Sequence, residues 1–360
     1  MRALGAGMGS VKVLTSLKCR DLMASQSASM ARAEPTISVI VVNLNGEDFL
    51  PACIASVLTQ SQLSEIIVVD NGSTDRSVEV MNTLFPSVKV IKNEENRGFA
   101  GPANQGAALA SGELLLFLNN DARLLPGTLT RLVAALQTDS KVAACAPTTR
   151  RDDGSLDSAG SMFTRTGFLH HLSEDDLSSA RFGPFRFSLK GACLLVWADL
   201  FNRAGCFDET YFAYFEETDL CWRLLSLGYR LEHVSDASAI HDVGRTTAAI
   251  FPSARIDYLS FRNRISTIRK NGDTRLKLQV LPVHIACCIV VAAVFALTGR
   301  FQNAFGISRA LIWHLRPSSH RHRLINQPTN PTSIGLLAAT TVPFNLAASI
   351  RMLKGYLVRW

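Results

Sequence analysis

Ile66-Ile67-Val68-Val69-Asp70-Asn71-Gly72-Ser73-Thr74-Asp75 reads as a buried strand, a tight turn and the start of a helix. The β-branched run suits a strand covered on both faces. The Gly-containing turn ends it, and Ser73, Thr74 and Asp75 supply N-cap groups for the next helix. A carboxylate standing where a buried strand runs out can reach a ligand, because open parallel sheets bind at the carboxyl ends of their strands. Asp70 is therefore a candidate contact for a ribose or base. The competing reading makes Asp70-Asn71-Gly72 a turn and no more.

The same pattern recurs on both sides of this stretch. Upstream, the apolar run Ile37-Ser38-Val39-Ile40-Val41-Val42-Asn43 ends at Leu44-Asn45-Gly46, and Leu50, Ile54, Val57 and Leu58 mark a helix over residues 47–59. Downstream come a helix over 78–84, a strand over 88–91, a loop over 93–102 and a helix of small residues over 103–110. A further buried strand over 113–118 runs into Asn119-Asn120-Asp121, so a carboxylate again closes it; a helix over 126–137 and a strand over 142–145 come next. Strand and helix alternating in this way predict an α/β fold, with parallel βαβ units in a mostly parallel sheet flanked by helices.

A chain of 360 residues with 47% hydrophobic residues can bury one large domain or two modest ones, which excludes a disordered protein. The eight cysteines form no CxxC pair and lie largely in apolar runs, as small buried hydrophobes do in a reducing compartment. The net charge of +7 comes from the C-terminal end, where Asp273 is the only acid among many Arg and Lys beyond residue 261. Basic residues interleaved with apolar segments suit an anionic membrane surface, and no nucleic-acid partner is expected. Residues 1–34 lack an apolar core and a cleavage site, and read as a flexible tail.

Six motifs in order resemble the nucleotide-binding and catalytic motifs of family 2 glycosyltransferases, nearest to their rhamnosyltransferase-like branch. They are Asn45-Gly46, the run from Val68 to Asp75, Asn96-Arg97-Gly98-Phe99-Ala100, Leu118-Asn119-Asn120-Asp121, Lys190-Gly191-Ala192 with Gly205-Cys206-Phe207-Asp208, and Tyr211 through Leu220. The resemblance covers roughly residues 36 to 270. It implies a GT-A fold, a Rossmann-like nucleotide-diphospho-sugar transferase, in which the donor meets Asn45, Asp70, Asn96, Gly98, Asn120 and Asp121. It further implies a divalent metal, Mn²⁺ or Mg²⁺, on Asp121 and His241, with the His ligand tilting the choice toward Mn²⁺. Asn119 stands where many members carry a first Asp, and brings a carbonyl without charge.

In Glu216-Glu217-Thr218-Asp219 the resemblance makes Glu217 the catalytic base, one methylene longer than the Asp of many relatives. Glu216, Asp219, Gly191 and Ala192 become acceptor or loop support. Read without the resemblance, the three acids could simply charge a helix N-terminus, and His241 could be an ordinary core or surface residue. His233 reads as structural, and the vicinal His170-His171 as exposed residues that project apart.

The domain plan is then a tail over 1–34, a transferase domain over 35–270 and a basic, apolar helical region over 271–360. Within the transferase domain, 35–147 would hold the donor and 148–270 the acceptor. Pro282 and His284 interrupt the first apolar run of the C-terminal region, over 278–298, below the ~20 residues of a bilayer span. Pro343 and Asn345 interrupt the second, over 334–350. Spanning helices, a re-entrant pair, interfacial helices and a soluble core hairpin all fit. The expected place is the cytoplasmic face of the cell membrane, peripheral or held by one or two helices.

The function expected is inverting transfer of a hexose, rhamnose among them, to a lipid-linked or polysaccharide acceptor in cell-envelope glycan synthesis. The alternatives are a catalytically impaired nucleotide-sugar-binding protein and a sugar-nucleotide nucleotidyltransferase. The latter should show a Gly-rich basic loop after its first strand, and Asn43-Leu44-Asn45-Gly46-Glu47 is not one.

Overall fold

β1 (Ile37–Asn43) is buried at every position but Val42, because both faces of the sheet to which it belongs are covered. The computed structural model describes residues 34–316, except 62, 180 and 242–251, together with 341–342. The chain divides into residues 1–35 and a unit Thr36–Trp360, which carries all the strands and helices among the described residues. The tail over 1–34 lies almost wholly outside the described residues, as does most of the apolar run over 334–350.

After β1 come α1 (Leu50–Leu58), β2 (Leu63–Asp70), α2 (Ser77–Leu84), β3 (Lys89–Lys92), α3 (Ala100–Ala108), β4 (Leu114–Asn119), β5 (Ala122–Leu124), α4 (Thr128–Thr138) and β6 (Val142–Arg150). Next are β7 (Leu156–Ser158), β8 (Ser161–Thr164), β9 (Leu169–His171), α5 (Glu174–Ser178), β10 (Cys193–Trp197), α6 (Ala198–Arg203), α7 (Glu216–Ser226) and β11 (Arg230–His241). The remainder are α8 (Ser253–Asn271), α9 (Thr274–Leu297), α10 (Phe301–Trp313) and the short β12 (Thr341–Val342).

The main sheet runs β3-β2-β1-β4-β10-β6-β11-β5, with β7 on the side of β6. β3, β2, β1 and β4 are mutually parallel, as the βαβ pattern predicts. β10 enters antiparallel between β4 and β6, so the sheet is mixed in its second half. A small second sheet, β12-β8-β9, draws two of its strands from the stretch over 148–189 that carries little periodicity.

Alternation along the strands sorts the core onto two sides. Val39, Val41, Leu116 and Leu118 meet α1 and α4 through Cys53, Ile54, Leu132 and Leu136. Ile40, Leu115 and Phe117 face the other way, toward α3, α6 and α7 through Ala103, Phe201 and Trp222. α3 comes so close to β1 that a Cβ on Gly106 would lie 2.6 Å from Ile40 Cγ2, which accounts for its small residues.

α8 has a polar sequence and is nonetheless deeply buried, with Asp257, Asn263, Arg264, Thr267 and Lys270 inside. α9 continues unbroken through Pro282, where the sequence suggested a shorter segment. The proline's lost N–H bond is outweighed by packing: Cys288, Val291 and Phe295 form one cluster with Phe261 of α8 and Ile307 and Ala310 of α10. His284 joins this face, its Nδ1 2.8 Å from the Thr166 carbonyl, and burial and Arg264 keep the ring neutral, with a pKa of about 3. The opposite face leaves Leu278, Ile289 and Val290 more than half exposed. Among the described residues α9 is the one helix long and apolar enough to cross a membrane, with 33% of its most apolar stretch buried.

Candidate functional site

The carboxyl ends of β1, β2 and β4 lie side by side, and their polar residues bind one another. Asn43 Nδ2 donates to Asp70 Oδ1 (3.0 Å), and Asn120 Nδ2 donates to Asn43 Oδ1 (2.9 Å). Ser73 Oγ donates to the same Asp70 oxygen and accepts from the Asn45 backbone N–H (2.9 Å), while Asn45 Oδ1 accepts from the Thr74 N–H (2.8 Å). Asp70 is buried and holds this corner through Asn43 and Ser73, the structural role that the turn reading expects. Asn96 and Gly98 join through Asn71, whose Nδ2 donates to Asn96 Oδ1 (3.0 Å) and the Gly98 carbonyl (2.7 Å).

Gly98 has φ +79°, and a Cβ there would stand 2.1 Å from the Phe212 carbonyl oxygen. This packs the loop after β3 against the segment that leads to α7. That segment holds three non-glycine residues at positive φ: Phe212, Tyr214 and Phe215. Such backbone costs ~1–3 kcal/mol per residue and persists where its surroundings over-determine it. Here α8 does so, Asn263 Nδ2 donating to the carbonyls of Tyr211, Ala213 and Tyr214 at 2.7–2.9 Å. Asp219, fully buried, anchors the same clasp through Arg223, Lys270 and Asn271 at 2.8–2.9 Å. Burial would raise its carboxyl, but Arg223 and Lys270 outweigh that and hold it below the usual range.

Glu216 and Glu217 open α7 with their neighbours unevenly disposed. Glu216 turns inward, its Oε2 buried with no hydrogen-bond partner among the described residues, and burial together with Glu217 pushes its carboxyl well up. Glu217 is half-buried beside Gly191, whose missing Cβ would lie 3.4 Å from Glu217 Cβ. Burial raises the Glu217 carboxyl above its ordinary value against the pull of the helix-start N–H groups and Lys190.

From Gly191 a continuous chain of contacts leads to Asp121. The Ala192 carbonyl accepts from the Asn119 N–H (3.0 Å), fastening the end of β4 to the Lys190-Gly191-Ala192 turn. Lys190 Nζ lies 2.6 Å from Asp157 Oδ1, and His241 Nδ1 lies 2.9 Å from Asp157 Oδ2. His241 Nε2 in turn lies 3.4 Å from Asp121 Oδ1 and 3.3 Å from Asn119 Nδ2. Burial lowers the affinity of His241 for a proton, but the carboxylates of Asp121 and Asp157 beside it raise it more. The candidates Asp121, His241, Gly191, Ala192 and Glu217 thus share one site, with the Asn45, Asp70, Asn96, Gly98 and Asn120 corner beside β4.

Asp157 and the role of Lys190 escape the sequence. Asp157 sits in a stretch without periodicity, and Lys190 enters only as the first residue of the Lys190-Gly191-Ala192 motif, without a role of its own. His233 is structural, bonded to Thr148 Oγ1 (2.9 Å) and Arg186, and kept neutral at about 4 by burial and that cation. His170 bonds Asp176 and His171 bonds Ser161, so the two project apart; His171 is exposed but His170 is half-buried. The described cysteines are free, and burial pushes the Cys193 and Cys221 thiols up to about 12.

Among the described residues no group of three or more His, Cys, Asp and Glu is arranged to hold a metal ion. The pair Asp121 and His241 still fits a divalent cation that draws its other ligands from a bound diphosphate. Among the described residues Asp121 Oδ1 is buried with no hydrogen-bond partner, and His241 Nε2 points at it. Asn119 can turn its amide oxygen to the same point.

The profile of glycosyl transferase family 2 matches residues 38–193. The O-antigen biosynthesis protein RfbC of Myxococcus xanthus is 30% identical over 224 residues, which are 58% of this chain and 17% of that protein. This chain thus spans only a small part of that relative. The N-acetylglucosaminyl-diphospho-decaprenol L-rhamnosyltransferase of Mycobacterium tuberculosis is 25% identical over 240 residues, 59% of this chain and 77% of that one. Among solved structures, the mannosyltransferase PcManGT of Pyrobaculum calidifontis, in complex with GDP-Man and Mn²⁺, superposes with a TM-score of 0.53 at 17% identity, covering 84% of this chain and 95% of its own.

Proposed function

We propose that this chain, which matches glycosyl transferase family 2 over residues 38–193 and has a GT-A fold, is an inverting hexosyltransferase of cell-envelope glycan synthesis. The donor is a nucleotide-diphosphate sugar, with rhamnose among the candidates, and the acceptor is lipid-linked or a polysaccharide. A relative named for L-rhamnosyl transfer to a diphospho-decaprenol acceptor supports that choice. Residues 35–147 hold the donor, 148–270 shape the acceptor side, and 271–360 attach the enzyme to the cytoplasmic face of the membrane.

The acceptor hydroxyl attacks the anomeric carbon as the bond from that carbon to the diphosphate breaks. Glu217 takes the hydroxyl proton; its raised carboxyl makes it a stronger base than an exposed glutamate once ionised. Gly191 packs against the stem of Glu217, and Lys190 keeps the ionised base from being an isolated charge. Asp121 and His241, with Asn119, would hold Mn²⁺ or Mg²⁺. Such a cation supplies positive charge against that developing on the leaving diphosphate. The corner built from Asn45, Asp70, Asn96, Gly98 and Asn120 receives the nucleoside.

The observation that carries this reading is the buried Asp121 carboxylate facing His241 across 3.4 Å, linked by continuous contacts through Asn119 and Ala192 to Gly191 beside Glu217. Donor hydrolysis across a panel of nucleotide sugars, with and without Mn²⁺ or Mg²⁺, tests it without knowledge of the acceptor. Metal-dependent release of one nucleoside diphosphate, lost in Asp121→Ala, is expected. Tight nucleotide binding with no turnover on any donor and acceptor would favour the non-catalytic alternative, and no nucleotide binding at all would overturn the proposal.

A further inference from the structure

Asp157 lies outside every motif of the family resemblance, yet its side chain is only 2% exposed and is among the most heavily engaged in the site. Lys190 Nζ sits 2.6 Å from Oδ1 and 2.7 Å from Oδ2, His241 Nδ1 2.9 Å from Oδ2, and Thr149 Oγ1 3.0 Å from Oδ2. Arg151 stands 3.7 Å from Oδ1. A buried carboxylate contributes little to stability compared with an apolar side chain of similar size, so stability alone does not account for it. The arrangement is directional. With Nδ1 donating to Asp157, the imidazole has its orientation fixed and only Nε2 is left to face Asp121 Oδ1 and Asn119. β7 reaches this point because it pairs with the end of β6, beside which β11 brings His241.

We propose that Asp157 is a positioning residue of the transfer site: it accepts from His241 Nδ1, and so aims Nε2 at the point that His241 shares with Asp121. The proposal deepens the metal-dependent reading of this site and rests on it. Anchoring the imidazole from behind makes it a better and more rigid donor to a cation, and loss of such a partner lowers metal affinity by roughly 10–100-fold. Lys190, held by the same carboxylate, ties this scaffold to the turn beside Glu217.

The test is direct Mn²⁺ binding by the full chain, read as loss of the free Mn²⁺ spin-resonance signal in the presence of a nucleoside diphosphate. Wild type is compared with Asp157→Ala and Asp157→Asn, and thermal melting establishes that each variant is folded. Asp157→Ala should weaken Mn²⁺ binding by roughly 10–100-fold, and Asp157→Asn, which keeps an uncharged acceptor for Nδ1, by less but by at least about threefold. Should the alanine variant fail to fold, the asparagine variant decides alone. Binding by folded variants equal to that of wild type overturns the role of Asp157 and leaves the metal reading intact. A wild-type chain that binds no Mn²⁺ overturns both.

Discussion

Among single residues, the two most informative are Glu217 and Gly98. Glu217→Gln removes the proposed proton acceptor while keeping shape, so transfer should fall by roughly 10²–10⁴-fold with nucleotide binding unchanged, as steady-state rates beside a nucleotide titration would reveal. Because burial raises this carboxyl and the base acts only when ionised, activity should decline as pH drops through an apparent pKa above the usual ~4.3 of glutamate. A kcat/KM profile whose acid limb lies at or below that value would remove Glu217 from the role. Gly98→Ala asks for a side chain at φ +79° with its Cβ 2.1 Å from a backbone oxygen. Its expected cost is ~1–3 kcal/mol in a denaturant titration, with weaker donor binding because the loop is pushed off Phe212.

Among the helices and strands, α8 is what holds the segment leading into α7 in shape. Beside its apolar residues it buries polar ones, and Asn263 and Lys270 reach carbonyls and carboxylates that would otherwise be buried with fewer partners. Asp219→Asn would leave Lys270 and Arg223 short of a charge inside the protein, and should destabilise by ~3–5 kcal/mol in urea melts. The sign of the pH effect is set by its depressed carboxyl. The stability it contributes is present above the unfolded value of ~3.9 and is lost as pH falls from there through the lower folded value. Acid titration of the melting midpoint should show this loss in wild type and less of it in Asp219→Asn.

Over the protein surface, α9 and α10 expose Leu278, Ile289, Val290, Phe301 and Phe305, with Arg and Lys close by in sequence. If this face meets lipid, Ile289→Glu combined with Val290→Glu should strongly reduce flotation with anionic vesicles. Raised salt should weaken wild-type binding, since basic residues contribute ~1 kcal/mol each at such surfaces. Unchanged flotation in the double variant would place membrane attachment elsewhere in the chain.

The first half of the sheet was legible from sequence because its signals are local. β-branched and leucine-rich runs ending in Asp70 and in Asn119-Asn120-Asp121 mark buried strands by composition alone, and each turn comes within a few residues. Period and turn chemistry also place α1 to α4 to within a few residues of their observed bounds. The remaining features depend on partners distant in sequence. The antiparallel insertion of β10 beside β4 carries Lys190, Gly191 and Ala192 to the strand end that bears Asn119, where one hydrogen bond joins them. Asp157 meets His241 and Lys190 only because β7 folds back on β6, and nothing near it in sequence announces that contact. α8 carries Phe261, Ile265 and Ile268 at helical spacing, but the polar side chains buried beside them, among them Asp257, Asn263, Arg264 and Lys270, are accommodated by partners distant in sequence, which periodicity does not reveal. Local backbone preference and burial pattern are written along the chain, whereas the pairing of buried charges is set by which distant strands become neighbours.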